Sequence, residues 1–232
     1  MRTVLDLADG RRIILASPLR GRVQAGVVCL NEVVVRQEPA VWIETAALAK
    51  ALRDAHAGRL PSEIAALQEA RDLYKCFGME PSRYRPSSEA LLRRVLQGKD
   101  LYRLNNAVDA CNLASLSYLL PIGLYDLARV AGDITLRVGQ AGEEYPGIRK
   151  GTVHLAGRLG FFDARGGFGS PTSDSLRTSV TSTTTHLVAV ILATAAYDTA
   201  LMRRHCEHFT ALFVRYCGAR PAGGGLLGGD DD

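Results

Sequence analysis

The sequence predicts an α+β fold, because segments of strand and helix character are mixed without the regular alternation of a doubly wound sheet. The chain has 232 residues, 47% hydrophobic and 22% charged, which is typical of a globular protein with a sizeable core. Aromatic residues make up only 6%, which argues against an aromatic-rich binding barrel. We expect one domain over residues 1–221 and a disordered Gly- and Asp-rich tail over residues 222–232.

The first half combines short strands with helices. Ile- and Val-rich segments predict strands, and apolar residues at helical spacing predict amphipathic helices. The predicted strands cover residues 12–16 and 24–30, and the predicted helices cover residues 41–56, 61–77, 87–97 and 105–118. Pro81 and Pro86 exclude a helix interior from residues 79–87, so a structured loop precedes the third helix.

The second half contains more predicted sheet. Thr, Val and Ile are frequent there, and glycine turns separate the apolar runs. The predicted strands cover residues 134–138, 152–155, 159–163 and 178–193, and a last helix covers residues 199–216. The tail after residue 222 has too little apolar surface to offset its ordering entropy, so we expect it to be disordered.

The common catalytic signatures are absent: there is no GxSxG elbow, phosphate loop, Rossmann glycine fingerprint or HExxH. His205 and His208 share a helix face but have no clear third ligand, so we expect no metal and no cofactor. The longest apolar stretch, residues 187–197, is about half the ~20 residues of a membrane span. We expect a cytoplasmic protein without a membrane partner, whose five cysteines are reduced thiols.

A polar row runs along the predicted helix of residues 105–118. Asp109, Asn112 and Ser115 are spaced three apart and therefore lie along one side of the helix. Two interpretations remain open: the row faces a ligand, or its side chains bond to neighbouring backbone.

A glycine-rich segment, residues 166–175, is the best site candidate. Its glycines allow amide donors to approach a ligand, and polar side chains with directional groups follow them. These side chains are Ser170, Asp174, Ser175, Arg177 and Thr178. The alternative is an ordinary hairpin loop that leads into a Thr-rich edge strand.

Several sequence blocks resemble the B3/B4 domain of the phenylalanyl-tRNA synthetase β subunit, and most of all its free-standing relatives. The blocks occur in the same order over residues 70–195. They are RDLYKCFG (71–78), RYRPSSEALLRR (83–94), VDACNLASLS (108–117), PIGLYD (121–126), GDITLR (132–137) and the loop of residues 169–178. The resemblance implies a multilayer α+β fold that contains a β-sandwich, and hydrolysis of wrongly attached amino acids, chiefly tyrosine, on tRNA.

The same resemblance assigns roles to individual residues. Asn112 matches the family's pocket-lining asparagine, and Cys111 stands where the synthetase form usually has threonine. Gly123 replaces a histidine in the turn that ends at Asp126. No acid occurs from residue 175 to residue 197, where the synthetase uses a glutamate to recognise the tyrosine hydroxyl. We therefore expect an aliphatic or small side chain on the substrate.

An aminoacyl ester is already activated, so positioning could replace a dedicated base. In this hypothesis the amides near Gly169 and Ser170 bind the carbonyl, and Asn112 orients water or the ammonium group. Arg137 or Arg177 contacts the terminal phosphate. The remaining predicted substrate-binding residues are Asp109, Ser115, Gly123, Asp126, Asp174, Ser175 and Thr178.

Positive charge is concentrated in residues 71–103. This segment has eight basic and four acidic side chains, in a chain with a net charge of +4. Such a stripe attracts a polyanion, and the resemblance makes tRNA, rather than DNA, the expected partner. The predicted tRNA-binding residues are Arg83, Arg85, Arg93 and Arg94. Alternatively, some of these arginines pair internally with Glu80, Glu89 or Asp100.

Three functions follow from these observations. The first is a free-standing hydrolase that deacylates mischarged tRNA in trans. The second is a non-catalytic module that binds tRNA or an amino acid, which the glycine at position 123 favours. The third is a structural or interaction protein, which requires the C-terminal helix to cover the basic stripe.

Overall fold

A computed structural model describes residues 1–148 and 151–229. It confirms the predicted α+β class: helices and strands are mixed along the chain, and the strands form several separate sheets. The helices are α1 (Pro39–Ala55), α2 (Gln68–Lys75), α3 (Ser87–Leu96), α4 (Asn106–Tyr118) and α5 (Thr199–Cys217). No helix in the described ranges is long and apolar enough to cross a membrane.

The larger sheet has five strands in the order β1-β2-β5-β8-β9. These strands are β1 (Val4–Asp6), β2 (Arg12–Leu15), β5 (Ile134–Val138), β8 (Leu159–Asp163) and β9 (Gly166–Gly169). The pairing of β2 with β5 is parallel, and the other pairings are antiparallel. The short strands β6 (Glu144–Gly147) and β7 (Gly151–His154) form a separate ribbon.

A second sheet has four antiparallel strands in the order β11-β3-β10-β4. They are β3 (Val23–Asn31), β4 (Ile122–Asp126), β10 (Leu187–Thr194) and β11 (Arg220–Leu227). Side chains alternate between the two faces of β10, as the period of a strand requires. Val188 and Val190 pack in a core shared with Ile13 of the larger sheet, so the two sheets form a sandwich.

The opposite face of the four-stranded sheet packs against helices. Ala189 and Ile191 of β10 join a cluster that includes Ala110 of α4 and Phe213 of α5. A smaller cluster connects α1, α3 and α4 through residues such as Leu92. The molecule therefore consists of layers, and α4 lies between the four-stranded sheet and the helices α1 and α3.

The expectation of a disordered tail over residues 222–232 is wrong for residues 222–227, which belong to β11. Backbone pairing with β3 needs no side chains, so a glycine-rich segment can complete a sheet edge. Residues 230–232 lie outside the described part of the chain. The predicted strand of residues 178–193 is also too long, because only Leu187–Thr194 is a strand.

Candidate functional site

A cavity of about 500 Å³ lies beside α4, where the helix faces residues 172–174 of the glycine-rich segment. Helix α3 closes one side through Ala90 and Leu91, and β4 closes another through Ile122 and Leu124. Most of this wall is apolar. The polar side chains of the wall include Asn112 and Ser115 of α4 and residues 172–174, and the others are Ser87, Asn105 and Ser179.

The start of α4 is fixed by two asparagines. The Asn105 side chain caps the helix by accepting a hydrogen bond from the Val108 amide at 3.0 Å. Asn106 is buried; its amide group donates to the carbonyls of Val34 and Tyr216, and its Oδ1 accepts from the Arg36 amide, each at 2.8 Å. These bonds hold α4 in one rotation, and that rotation turns Asn112 toward the cavity.

The polar row of α4 serves two purposes. Asp109 accepts hydrogen bonds from Trp42 Nε1 at 2.7 Å and from the Leu104 amide at 3.0 Å, and burial raises its pKa. Ser115 Oγ donates to the Leu120 carbonyl at 2.7 Å. The Asn112 side chain, in contrast, makes no hydrogen bond within the described residues. Asp109 and Ser115 therefore stabilise the fold, and Asn112 is the member of the row that is free to bind a ligand.

Asp174 lines the same cavity from the opposite segment. Its backbone forms an isolated bridge to Gly169, and its carbonyl accepts from the Ile148 amide at 3.2 Å. Burial raises the pKa of the Asp174 carboxyl to about 7, and the Tyr125 hydroxyl acts in the opposite direction. The Tyr125 hydroxyl is fully buried, and it makes no hydrogen bond of full geometry with any polar atom of the described residues.

Tyr125 lies between two glycines that the sequence places in separate motifs. A Cβ atom at Gly123 would come within 2.7 Å of the Tyr125 Cζ atom, and one at Gly169 within 2.5 Å. The two glycines approach opposite edges of the ring, at Cε2 and Cε1. Gly123 and Gly169 thus make room for Tyr125 in the core between the sheets. Reasoning from sequence missed this tyrosine, although it stands inside the PIGLYD block.

Ser170, Ser175 and Thr178 hold the loop together. Ser170 Oγ accepts from the Ser173 amide at 3.2 Å, and the Ser170 amide donates to the Ser173 carbonyl at 3.1 Å. Ser175 Oγ and Thr178 Oγ1 lie 2.9 Å apart. The Ser170 amide, which was predicted to bind a carbonyl of the substrate, therefore already forms a hydrogen bond within a turn. The hydroxyl groups of Ser170, Ser175 and Thr178 stabilise the loop that carries residues 172–174 of the cavity wall.

Asp126, Arg137 and Arg177 are not part of the cavity wall. Asp126 caps a short helical turn and accepts from Thr184 Oγ1 at 2.7 Å. Arg137 pairs with Glu143 at 2.6 Å and lies over the Phe162 ring, and Arg177 pairs with Asp163 at 2.7 Å. The charges of Arg137 and Arg177 are thus balanced by carboxylates within the protein. This argues against the predicted contact of either arginine with a phosphate.

The basic stripe is partly paired, as the alternative interpretation predicted. The buried Glu89 carboxylate faces Arg71, Arg85 and Arg93 at 3.6, 3.9 and 3.5 Å. One carboxylate thus orders three guanidinium groups, and positive charge remains in excess. Glu80 is not part of this cluster, since its Oε1 accepts from Ser82.

The other two predicted tRNA-binding arginines contact aromatic rings. Arg83 lies over Tyr84, which Arg158 also contacts, and Arg94 lies over the exposed Tyr102 with 4.1 Å to the ring centre. Arg94 also donates to the Asp100 carbonyl. Helix α5 packs on α4, β3 and β11, and within the described residues no hydrogen bond or ion pair joins it to the side chains of residues 71–103. The condition for the third interpretation, a stripe covered by α5, is therefore not met.

The two histidines of α5 belong to an aromatic cluster. Tyr118 stacks on His205, and its hydroxyl lies 2.7 Å from His208 Nδ1. The Tyr197 hydroxyl lies 2.9 Å from His205 Nε2, and burial lowers the pKa of His205 to about 4. Over residues 1–148 and 151–229, no group of three or more His, Cys, Asp and Glu side chains is arranged to hold a metal ion.

The fold and its cavity fit the class of protein that the sequence blocks indicate. The family model described as B3/4 domain matches residues 69–218. The chain therefore belongs to the B3/4 domain family, which confirms the predicted resemblance.

One solved structure is similar over 92% of this chain, with a TM-score of 0.43 and 10% sequence identity. It is an N-terminal fragment of the phenylalanyl-tRNA synthetase β subunit from Pyrococcus horikoshii, and the match covers 49% of that fragment. The chain thus spans about half the length of this relative. A comparison with curated proteins gives no match.

Proposed function

We propose that the protein is a free-standing hydrolase that removes wrongly attached amino acids from tRNA. The observation that carries this proposal is the Asn112 amide, which faces a cavity of about 500 Å³ and has no hydrogen bond to the described residues. Asn112 is partly exposed to the cavity, so its amide can exchange solvent for a ligand. An amide that the fold positions and leaves unpaired is therefore suited to a ligand.

The ester of an aminoacyl-tRNA needs little activation. In the proposed mechanism the Asn112 amide donates to the ester carbonyl or orients the attacking water, and the apolar wall holds the side chain of the amino acid. The ribose hydroxyl next to the ester serves as the local acid or base. Positioning of this kind lowers a barrier without a dedicated catalytic base.

The positive charge around α3 supports an RNA partner. Ala90 and Leu91 of α3 line the cavity, and Arg93 and Arg94 lie on the same helix. An RNA end in the cavity would thus pass close to several guanidinium groups, and phosphate contacts supply most of the sequence-independent affinity for RNA.

The test is deacylation of a panel of mischarged tRNAs by the wild-type protein and by Asn112→Ala. We expect release of at least one small or aliphatic amino acid above the spontaneous rate, and a loss of about 10²-fold or more in Asn112→Ala. Asn31→Ala is the matched control, since Asn31 lies at the end of β3 outside the cavity wall. Wild-type protein that releases no amino acid from any tRNA would overturn the proposal.

A non-catalytic binding module is the second candidate, and one observation favours it. The Ser170 amide is bonded to Ser173 within the turn, so this donor is not available to a developing oxyanion. Binding of aminoacylated RNA without turnover in the same assay would establish this function.

A further inference from the structure

The Asp174 carboxyl lines the cavity without a cationic partner. The titratable groups that face it are Tyr125 from β4, Tyr145 from β6 and Cys111 from α4. Burial raises the pKa of each of these three groups well above its usual value, so all three stay neutral near pH 7. Within the described residues, no Lys, Arg or His forms an ion pair with Asp174.

The surroundings of Asp174 define the shape and charge of a ligand. A carboxylate that is partly removed from solvent and has only neutral neighbours is stabilised most by a compact cation. Asn112 lines the same cavity and carries an amide that can bond to a carbonyl, while Val108, Ile122 and Leu124 supply apolar wall. A ligand with a cation, a neighbouring carbonyl and an apolar side chain matches all three features.

We propose that Asp174 recognises the free α-ammonium group of the acyl ligand, so that the cavity accepts α-aminoacyl groups and excludes their N-acylated forms. This inference rests on the proposed function for the identity of the acyl group. An N-acylated ligand carries no charge at that position, so it would leave the half-buried carboxylate unpaired and bring an added acyl group into the cavity. A site built around a polar group rejects ligands that lack the matching group far more strongly than an apolar pocket does.

The proposal gives binding a specific pH dependence. Burial raises the pKa of Asp174 to about 7, so the carboxylate needed for an ammonium group forms as the pH rises through neutrality. Over the range from pH 6 to pH 8 the ionised fraction of such a group rises about tenfold. A ligand whose amine stays protonated over this range should therefore bind about tenfold more tightly at pH 8 than at pH 6.

The experiment measures binding of small amino alcohols by calorimetry, which involves neither tRNA nor hydrolysis. The probes are alaninol, leucinol, phenylalaninol and tyrosinol, each compared with its N-acetyl form at pH 6 and pH 8. We expect at least one free amine to bind at millimolar concentration with the tenfold pH effect, and its N-acetyl form to bind at least tenfold more weakly at pH 8. A protein that binds these amines but deacylates no tRNA would refute the proposed hydrolysis and support the ammonium site.

Two variants test whether Asp174 causes the pH dependence of amine binding and the preference for the free amine. Asp174→Asn should abolish the pH dependence and the preference for the free amine, while Asp54→Asn, which removes an exposed carboxylate paired with Lys50, should change neither. The wild-type comparison of free and N-acetyl ligands decides the question even if Asp174→Asn fails to fold. Equal binding of both forms, no binding of any amine, or a preference for tyrosinol that survives N-acetylation would each overturn the proposal. The last result would mean that Asp174 reads a phenolic hydroxyl.

Discussion

The polar residues that line the cavity differ from those behind the glycine-rich loop. Asn112 and Asp174 face the cavity, and neither has an ion pair or a side-chain hydrogen bond with full geometry in the described residues. Behind the loop, Arg177 and Asp163 pair with each other, and so do Arg137 and Glu143. Residue types are similar in the two regions, but among these described residues those of the cavity lack a partner within the protein. If the proposed function is correct, pairing rather than residue type separates a binding residue from a structural one.

The largest effect is expected from breaking a pair behind the loop. Arg177→Met should lower the free energy of unfolding by about 3–5 kcal/mol, because it leaves a buried carboxylate without its partner. The side chain of Asp163 is 0% exposed. Burial acts to raise its pKa, but hydrogen bonds from Arg177 and from backbone amides outweigh burial and lower it. Chemical denaturation measures the loss.

The exposed pair of Arg12 with Asp133 is the matched control. Arg12→Met should cost far less than Arg177→Met, because solvent screens the exposed pair. Equal losses in the two variants would show that the pair behind the loop is not the buried structural element described here.

A comparable effect, of opposite sign at neutral pH, is expected at the cavity. The folded protein holds a proton on Asp174 up to a pKa of about 7, whereas the unfolded chain releases it near the usual value of 3.8. Stability from this group is therefore present below about pH 4 and is lost as the pH rises to 7. Relative to wild type, Asp174→Asn should gain on the order of 4 kcal/mol between pH 4 and pH 8. If the free energy of unfolding depends on pH in the same way in wild type and in Asp174→Asn, the raised pKa of Asp174 would be contradicted.

The polar row of α4 permits the same comparison within one helix. Ser115→Ala should lower the free energy of unfolding by about 1 kcal/mol, because it leaves the buried Leu120 carbonyl without a donor. Asn112→Ala should change stability by less than about 0.5 kcal/mol, since no bond within the protein is lost. Thermal and chemical unfolding of both variants would check the order. A larger loss for Asn112→Ala would place its amide in the core.

The smallest change concerns RNA affinity. Arg83→Glu should weaken the binding of tRNAs of unrelated sequence by the same factor. It should also reduce the slope of log affinity against log salt concentration by the equivalent of about one phosphate contact. Arg83 is exposed and stays clear of the buried Glu89, so its reversal leaves the core intact. Arg203→Glu on α5 reverses an exposed arginine on another face and is the control. Identical slopes for both variants would show that RNA does not dock along the stripe.

Sequence alone predicted the fold where a periodic pattern coincides with local propensity. Helices α1, α3, α4 and α5 lie close to their predicted positions, because apolar spacing and capping residues agree. The Thr-rich residues 178–186 have strand propensity but form no strand, since hydroxyl groups such as Thr184 Oγ1 bond to the local backbone. β11 could not be predicted, because its pairing with β3 depends on backbone alone.

The candidate site was predicted less completely. Motif spacing identified Asn112 and Asp174 but grouped them with residues of the same chemistry that are paired internally, such as Asp109 and Arg177. Spacing places a side chain on a helix face, but pairing depends on partners distant in sequence. Trp42 lies 67 residues from Asp109 in the chain, and no local pattern signals such a contact.

The Tyr125 ring between Gly123 and Gly169 limits how this chain could change in evolution. A histidine at position 123, as the synthetase form carries, would require a Cβ atom within 2.7 Å of the present ring. Tyr125 would first have to become smaller, and that step would leave a void in the core between the sheets. Neither single change is favourable on its own, so the two positions are expected to vary together.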